Sequence, residues 1–248
     1  MALVIQCGEG EPNERPALRY LAAALGPEWA ILANLPATLA QREVDALLVG
    51  PRGMIVCELK HYRGALQARH TGAWLRDGRP MINAQSKRPE KNFIEQAWRA
   101  AQGVKTQLQR FDPAVADKVF VASCVLTTHP HSTLSFARPD LRDHARPLSE
   151  GPQLIETLAR RSRRRLTPGD LGRILAFAEQ PVPPALAATW LAAARSAKAH
   201  ASANGHKPAR RGRGPWARSP RRRITVVELL VALALTAAAA LAVWLFVQ

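Results

Sequence analysis

The chain has 248 residues, of which 47% are hydrophobic and 22% are charged. This balance excludes an intrinsically disordered acidic chain and a disulfide-framed miniprotein. The three cysteines are widely spaced and form no Cys-x-x-Cys pair, which argues against a zinc ribbon and favours a reducing compartment. The net charge of +16 is uneven, because residues 157–223 hold 16 Lys and Arg residues against two acidic ones. A nearly balanced N-terminal part is therefore expected to precede a basic region.

The first predicted element is a helix that runs from a capping residue, Asn13, to Leu25. Leu18 and Leu21 form its apolar stripe, and Glu14, four residues before Leu18, falls on the same stripe. A carboxylate on that face either has a functional partner or is an ordinary first-turn residue that favours the helix dipole. The helix by itself leaves both interpretations open.

A β-hairpin is predicted around the sequence Gly50-Pro51-Arg52-Gly53, which has proline and glycine where a type I turn favours them. Alternating apolar residues extend on both sides of this turn. The two strands are expected at residues 43–49 and 54–60.

The register of this hairpin brings charged residues together. If the hairpin is centred on the turn, Asp45 lies directly across from Glu58, with Cβ atoms about 5 Å apart. Two carboxylates so close repel each other, but they suit a single hard cation. Lys60 shares a face with Glu58 and is near enough to reach a phosphate or an attacking water over that cation. A slip of one residue would instead move Asp45 to the other face.

The remaining pattern predicts strands and helices around this hairpin. The expected elements are a strand at 29–35, a second hairpin over 65–76, a polar loop at 83–91, a helix at 92–110, a strand at 118–125 and a helical extension over 131–180. The packing stripe of the long helix is expected to be Phe93, Ala97, Ala100, Val104 and Leu108. The predicted fold class is α/β, with a central mixed sheet flanked by helices. His129-Pro130-His131 lacks a third ligand in the sequence and is expected to be a solvated loop.

The C-terminal part has two distinct compositions. Residues 181–223 begin rich in proline and alanine and end rich in glycine, proline and arginine, which predicts a basic linker. The nineteen residues 229–247 carry no charge and as a helix would span about 28 Å, close to the thickness of a hydrocarbon core. We expect a transmembrane helix at 225–247, with the domain on the cytoplasmic side because arginines precede the span. Arg210–Arg223 either only flank the span or also bind anionic lipid.

An ordered set of motifs runs from the first helix to about residue 130. Glu14 is followed by Asp45 on a strand, by the glycine turn, by Glu58-Leu59-Lys60 and by an aromatic-x-Gly element, Tyr62-Arg63-Gly64. Downstream, Asn92-Phe93-Ile94-Glu95-Gln96 has the form Asn-Pro-x-x-Gln with Phe93 in place of proline. In this order and spacing the segment resembles the nuclease-related domain, a branch of the PD-(D/E)xK nuclease superfamily. The resemblance covers about residues 10–130 and implies a restriction-endonuclease-like fold.

The resemblance also implies an activity, namely metal-dependent hydrolysis of phosphodiester bonds in nucleic acid, DNA in preference to RNA. The functional residues carried over from the family are Glu14, Asp45, Glu58, Lys60 and Gln96. Asp45 and Glu58, together with the carbonyl of Leu59, would hold Mg²⁺, for which Mn²⁺ could substitute. The residues expected to contact nucleic acid are Lys60, His61 and Arg63. Because family members are commonly bacterial, the expected location is the inner membrane of a bacterium, with a single span.

Two other functions fit the same sequence. One is a catalytically silent module that binds nucleic acid or serves as a scaffold at the membrane. The other is a membrane-associated regulator whose basic linker binds anionic lipid. Retention of Glu58-Leu59-Lys60 favours the enzyme, because a silent fold has no need to keep neighbouring carboxylates.

Overall fold

A computed structural model of the protein describes residues 1–180 together with Leu186, Ala188, Thr189, Leu191 and Ala192. All of these residues belong to one unit, Met1–Ala203. The transmembrane helix expected at 225–247 and nearly all of the linker expected at 181–223 lie outside the described residues. No helix in the described part of the chain is both long and apolar enough to cross a bilayer.

The described chain contains ten strands and six α-helices. The strands are β1 (Leu3–Gln6), β2 (Ala30–Leu35), β3 (Val44–Gly50), β4 (Gly53–Lys60), β5 (Gly64–Ala68), β6 (Leu75–Arg76), β7 (Arg79–Pro80), β8 (Val121–Thr127), β9 (Ser132–Phe136) and β10 (Ala145–Pro147). The helices are α1 (Glu14–Ala24), α2 (Ala37–Ala40), α3 (Phe93–Phe111), α4 (Pro113–Ala116), α5 (Gly151–Arg160) and α6 (Pro168–Phe177). Two short 3-10 helices, Pro139–Asp143 and Leu148–Glu150, lie before α5.

A mixed six-stranded sheet forms the centre of the fold, in the order β1-β2-β3-β4-β8-β10. Strand β3 pairs with β2 and with β4 in antiparallel orientation. Strand β8 pairs with β4 and with β10 in parallel orientation. A smaller sheet has the order β7-β6-β5-β9. The predicted α/β class with a central mixed sheet is therefore confirmed.

Helices cover both faces of the central sheet. The side chains of α1 and α5 pack on the face that carries Ile55 and Cys57 of β4. Helices α3, α4 and α6 pack on the face that carries Met54 and Val56. The predicted packing stripe of α3 is buried along its whole length, and the three layers place the main core on the two sides of one sheet.

The segment 131–180 differs from the helical extension predicted for it. It begins with β9, which pairs with β5, and with β10, which pairs with β8. Only the part from Gly151 onward is mainly helical. The central sheet thus extends beyond residues 10–130 on both sides, because β1 precedes that range and β10 follows it.

Candidate functional site

A pocket of about 500 Å³ opens where β3 begins and β4 ends. Five carboxylate residues line it, together with Leu59, Lys60, His61 and Tyr62; they are Glu9, Glu11, Glu14, Glu43 and Asp45. Among the described residues that line this pocket, Lys60 is the one Lys or Arg. The pocket is therefore strongly acidic, with a single ammonium group on its wall.

The β3–β4 hairpin has the register that the sequence predicts. Gly50 pairs with Gly53 and Ala46 pairs with Cys57, so the next position places Asp45 across from Glu58. The side chain of Asp45 is held there because Oδ2 accepts a hydrogen bond from the backbone N–H of Leu59 at 2.6 Å. The turn therefore determines which carboxylates meet at the open end of the hairpin.

Lys60 is held between a carboxylate and an aromatic ring. Its Nζ lies 2.7 Å from Oε1 of Glu58 and 5.1 Å from the centre of the Phe93 ring. Burial lowers the pKa of Lys60, but the charge and hydrogen bond of Glu58 and the charge of Asp45 together outweigh burial, and the pKa is raised above its ordinary value. Lys60 therefore keeps its positive charge throughout the physiological pH range.

The surroundings of Asp45 disfavour its ionised form. Burial raises its pKa from the ordinary value of 3.8 to about 7, with the negative charge of Glu58 as the next cause. The hydrogen bond from Leu59 and the charge of Lys60 act in the opposite direction. One ammonium group is thus insufficient to balance the carboxylates that meet here.

Glu14 reaches the same group from the start of α1. Its Oε2 is buried and has no hydrogen-bond partner among the described residues. Burial raises its pKa, and the charges of Lys60 and Glu58 act on it in opposite directions. The helix was predicted to start with a capping Asn13, but the side chain of Asn13 makes no capping hydrogen bond. Glu14 is thus an acidic residue of the first helical turn and also lines the pocket beside Asp45 and Lys60.

Gln96, in contrast, does not join these residues. It lines a separate pocket together with Arg42 and Arg99, and its Nε2 donates to the carbonyl of Lys91 at 3.0 Å. Asn92, at the start of the same motif, is buried and caps α3: its Oδ1 accepts from the N–H of Ile94 and Glu95. The Nδ2 of Asn92 donates to the carbonyls of Arg69 and Gly72. In this structure the motif ties helix α3 to the small sheet.

Sequence reasoning missed several residues around the site. Phe93 was predicted to be a packing residue that replaces the proline of a motif, yet its ring also contacts the ammonium of Lys60 and stacks on Tyr62 with ring centres 5.8 Å apart. Asn34 lines the pocket with a left-handed backbone, φ 55°. The signal for Tyr62 was its position two residues after Lys60, whereas nothing in the local sequence connects Asn34 to the site.

The donor atoms at the site fit a hard divalent cation. Carboxylate oxygens lie close together at the site, and one buried oxygen of Glu14 has no partner among the described residues. The raised pKa of Asp45 shows that its ionised form is disfavoured without a further positive charge. In the described part of the chain, no three His, Cys, Asp or Glu side chains are arranged as a complete metal site. Among hard cations, Mg²⁺ takes one or two protein carboxylates and completes its shell with water and phosphate oxygens.

Comparisons with known proteins give one match. Neither the curated proteins nor the solved structures yield a match. The model of one family, described as the nuclease-related domain, matches residues 9–128. This range contains Glu14, Asp45, Glu58 and Lys60 and ends at the last residue before the His129 loop. Residues 9–128, just under half of the chain, therefore match the nuclease-related domain family.

Proposed function

We propose that this protein is a metal-dependent phosphodiesterase that hydrolyses nucleic acid. One observation carries the proposal: Glu14, Asp45 and Lys60, from one helix and two strands, line one pocket, and Glu58 pairs with Lys60 at 2.7 Å and acts on Asp45 through its charge. A structural role does not account for this arrangement, because crowding carboxylates at the end of a hairpin destabilises the folded state. The nuclease-like character of the family points in the same direction.

The proposed cation is Mg²⁺, with Mn²⁺ as a substitute. Its protein ligands would be the carboxylates of Asp45 and Glu58 and the carbonyl oxygen of Leu59. Bound there, the cation would supply a nucleophile by lowering the pKa of a water and would offset the charge that develops on the phosphate.

The side chains of this chain then have distinct roles. Lys60, fixed by Glu58 and by the ring of Phe93, holds a phosphate oxygen or the attacking water with its ammonium group. The unpaired Oε2 of Glu14 accepts a hydrogen bond from a water at the pocket wall. Asp45 is kept in place by the N–H of Leu59. Gln96 is left out of this set, because its side chain lies in a different pocket.

The C-terminal sequence supports a membrane location for this activity. The uncharged run 229–247 has the length and composition of a spanning helix, and arginines precede it. We place the domain on the cytoplasmic side of a bacterial inner membrane, with Arg210–Arg223 close to anionic lipid headgroups.

The test is hydrolysis by the purified full-length chain. Supercoiled plasmid and labelled single-stranded DNA and RNA are incubated with the protein and 5–10 mM Mg²⁺ or Mn²⁺, concentrations on the order used for weakly held Mg²⁺. We expect cleavage that is lost in Glu58→Ala and in EDTA and kept in Glu156→Ala, an exposed carboxylate on α5. Equal inactivity of the wild type and Glu58→Ala on every substrate would refute the enzyme.

One observation favours a second candidate, the catalytically silent module. The Lys60 ammonium already pairs with Glu58, so part of the negative charge is balanced without a cation. In that case the domain would bind nucleic acid or act as a scaffold, and millimolar Mn²⁺ would not bind. Metal titration therefore separates the two functions even where no substrate is cleaved.

A further inference from the structure

Three histidines meet at the rim of the pocket, although they come from two separate parts of the chain. The ring centres of His61 and His129 are 4.8 Å apart, and those of His129 and His131 are 5.7 Å apart. His61 directly follows Lys60 and lines the pocket. This group, His61, His129 and His131, is called the histidine rim below.

Pairing between parallel strands builds the rim. Lys60 pairs with Thr127, and the N–H of Thr128 donates to the carbonyl of Lys60 at 3.0 Å, which sets the loop after β8 beside His61. The carbonyl of His131 accepts from the N–H of Gly64, at the start of the β5–β9 pair. Adjacent carboxyl ends of parallel strands are a common place for ligands in α/β folds.

One hydrogen bond of the rim determines which nitrogen of His129 is a donor. Nδ1 of His129 accepts the backbone N–H of His131 at 3.1 Å, so the proton of a neutral His129 ring is on Nε2. Nδ1 of His61 is hydrogen-bonded to Oγ1 of Thr128 at 3.0 Å. A ring whose free nitrogen carries a proton is a donor and not a metal ligand.

Positively charged neighbours act on His129. Loss of water contact lowers its pKa, and the positive charges of His61, His131 and Arg63 lower it further. The guanidinium of Arg63 and the Nε2 proton of His129 therefore supply a positive charge and a donor next to the acidic pocket, which suits an anion that extends out of the pocket.

We propose that the histidine rim and Arg63 form a subsite for a backbone phosphate of nucleic acid, next to the phosphate held by Lys60. This inference rests on the proposed function, because it takes the ligand in the pocket to be a phosphodiester. A polyanion with regularly spaced phosphates occupies both places at once, whereas a lone phosphate occupies one. The rim therefore provides binding along the strand and no chemistry.

The test measures binding without cleavage. Fluorescence anisotropy of a labelled single-stranded 20-mer, as DNA and as RNA, is followed with the full-length chain in EDTA. We expect His129→Ala/His131→Ala to weaken binding by about tenfold, as for loss of side-chain hydrogen bonds to a charged phosphate. His129→Gln/His131→Gln keeps side-chain N–H donors and should restore part of the affinity. His70→Ala, an exposed histidine in the β5–β6 turn, should bind as the wild type does.

Each result bears on the subsite separately from the hydrolysis. Equal affinity of the wild type and the double alanine variant would overturn the subsite, even if the wild type cleaves DNA in a Glu58-dependent way. No binding by the wild type in EDTA would overturn it as well, and absence of cleavage would then count against the enzyme on its own. Tight Zn²⁺ binding that disappears in the double alanine variant would also contradict it, because the rings would then be ligands and not donors.

Discussion

The backbone N–H of Leu59 donates to Oδ2 of Asp45 at 2.6 Å, and this bond holds a carboxylate of β3 against the strand that carries Glu58. The bond favours the ionised form of Asp45, but burial and the charge of Glu58 outweigh it and raise the pKa of Asp45 to about 7. Keeping the two carboxylates together therefore lowers the free energy of unfolding when Asp45 is ionised, and this loss is measurable.

Asp45→Asn should stabilise the protein at neutral and alkaline pH in the absence of divalent cations. The folded protein holds the Asp45 proton up to about pH 7, whereas the unfolded chain releases it near the ordinary value of 3.8. The folded state therefore binds more protons between these values, and the free energy of unfolding of the wild type falls as the pH rises through that window. At pH 8 we expect the variant to be more stable by about 1–3 kcal/mol.

Urea denaturation at pH 5 and pH 8, in EDTA, checks this prediction. The gain should be largest at pH 8 and should shrink towards pH 5. Glu43→Gln, which neutralises an exposed carboxylate of the same pocket, is the matched control and should change stability little. An Asp45→Asn variant that is no more stable than the wild type at pH 8 would show that the ionised carboxylate of Asp45 does not destabilise the folded protein.

Lys60→Met should separate chemistry from metal binding. The variant keeps an unbranched side chain over Phe93 but removes the ammonium group that lies 2.7 Å from Glu58. Hydrolysis should fall by about 100-fold or more, as when one group that stabilises transition-state charge is lost. Mn²⁺ affinity should stay the same or rise, because the cation no longer competes with the ammonium for Glu58.

Rates on labelled DNA and Mn²⁺ titration of the same preparation provide the comparison. Lys87→Met, in the exposed polar loop, serves as the control and should retain both properties. Loss of Mn²⁺ binding in Lys60→Met would mean that Lys60 supports the metal ligands and does not act on the substrate.

Asn92→Ala and Gln96→Ala should behave differently, although both residues belong to the same motif. Asn92 makes four hydrogen bonds from a buried amide, so its loss should cost about 2–3 kcal/mol of stability. Gln96 is partly exposed and lies outside the carboxylate pocket, so Gln96→Ala should change stability by less than about 0.5 kcal/mol. Its hydrolysis rate should stay near that of the wild type. A folded Gln96→Ala variant without activity would place Gln96 at the cleavage site, as the family resemblance implies.

Gly53→Ala should disrupt the hairpin that sets the register of the site. Gly53 has φ +147°, and a Cβ atom there would lie 2.4 Å from the carbonyl oxygen of Phe120. We expect a loss of about 2–4 kcal/mol from strain and displaced backbone. Gly72→Ala is the control, since its φ is +71° but nothing lies within 4 Å, and it should cost about 1 kcal/mol. Equal effects of the two substitutions would mean that the Phe120 contact does not constrain the turn.

The hairpin and its carboxylate pair were predictable because a local signal determines them. The Gly50–Gly53 turn fixes the strand pairing, and alternation of apolar residues fixes the faces, so Asp45 and Glu58 follow from counting. The burial of Cys57, on the face of β4 opposite Glu58, follows from the same alternation.

Features that depend on distant pairing were not predictable in this way. Strands β1 and β10 are short and owe their structure to β2 and β8, their neighbours in the sheet. The histidine rim forms because two parallel strand pairs align loops that are far apart in sequence, so the sequence showed a His-x-His loop without a third partner. The position of Gln96 depends on how Asn92 anchors α3, which the motif spacing does not reveal.

The proposed cation site comprises Asp45, Glu58 and Leu59 and lies beside Lys60. It is tested most directly by titrating Mn²⁺ into the full-length chain, with bound metal followed by electron paramagnetic resonance, for the wild type, Glu58→Gln and the control Glu156→Gln. The account predicts one site with a dissociation constant of about 1 mM or tighter in the wild type and the control, and at least about tenfold weaker binding in Glu58→Gln. No binding by the wild type, or equal binding by Glu58→Gln, would contradict it.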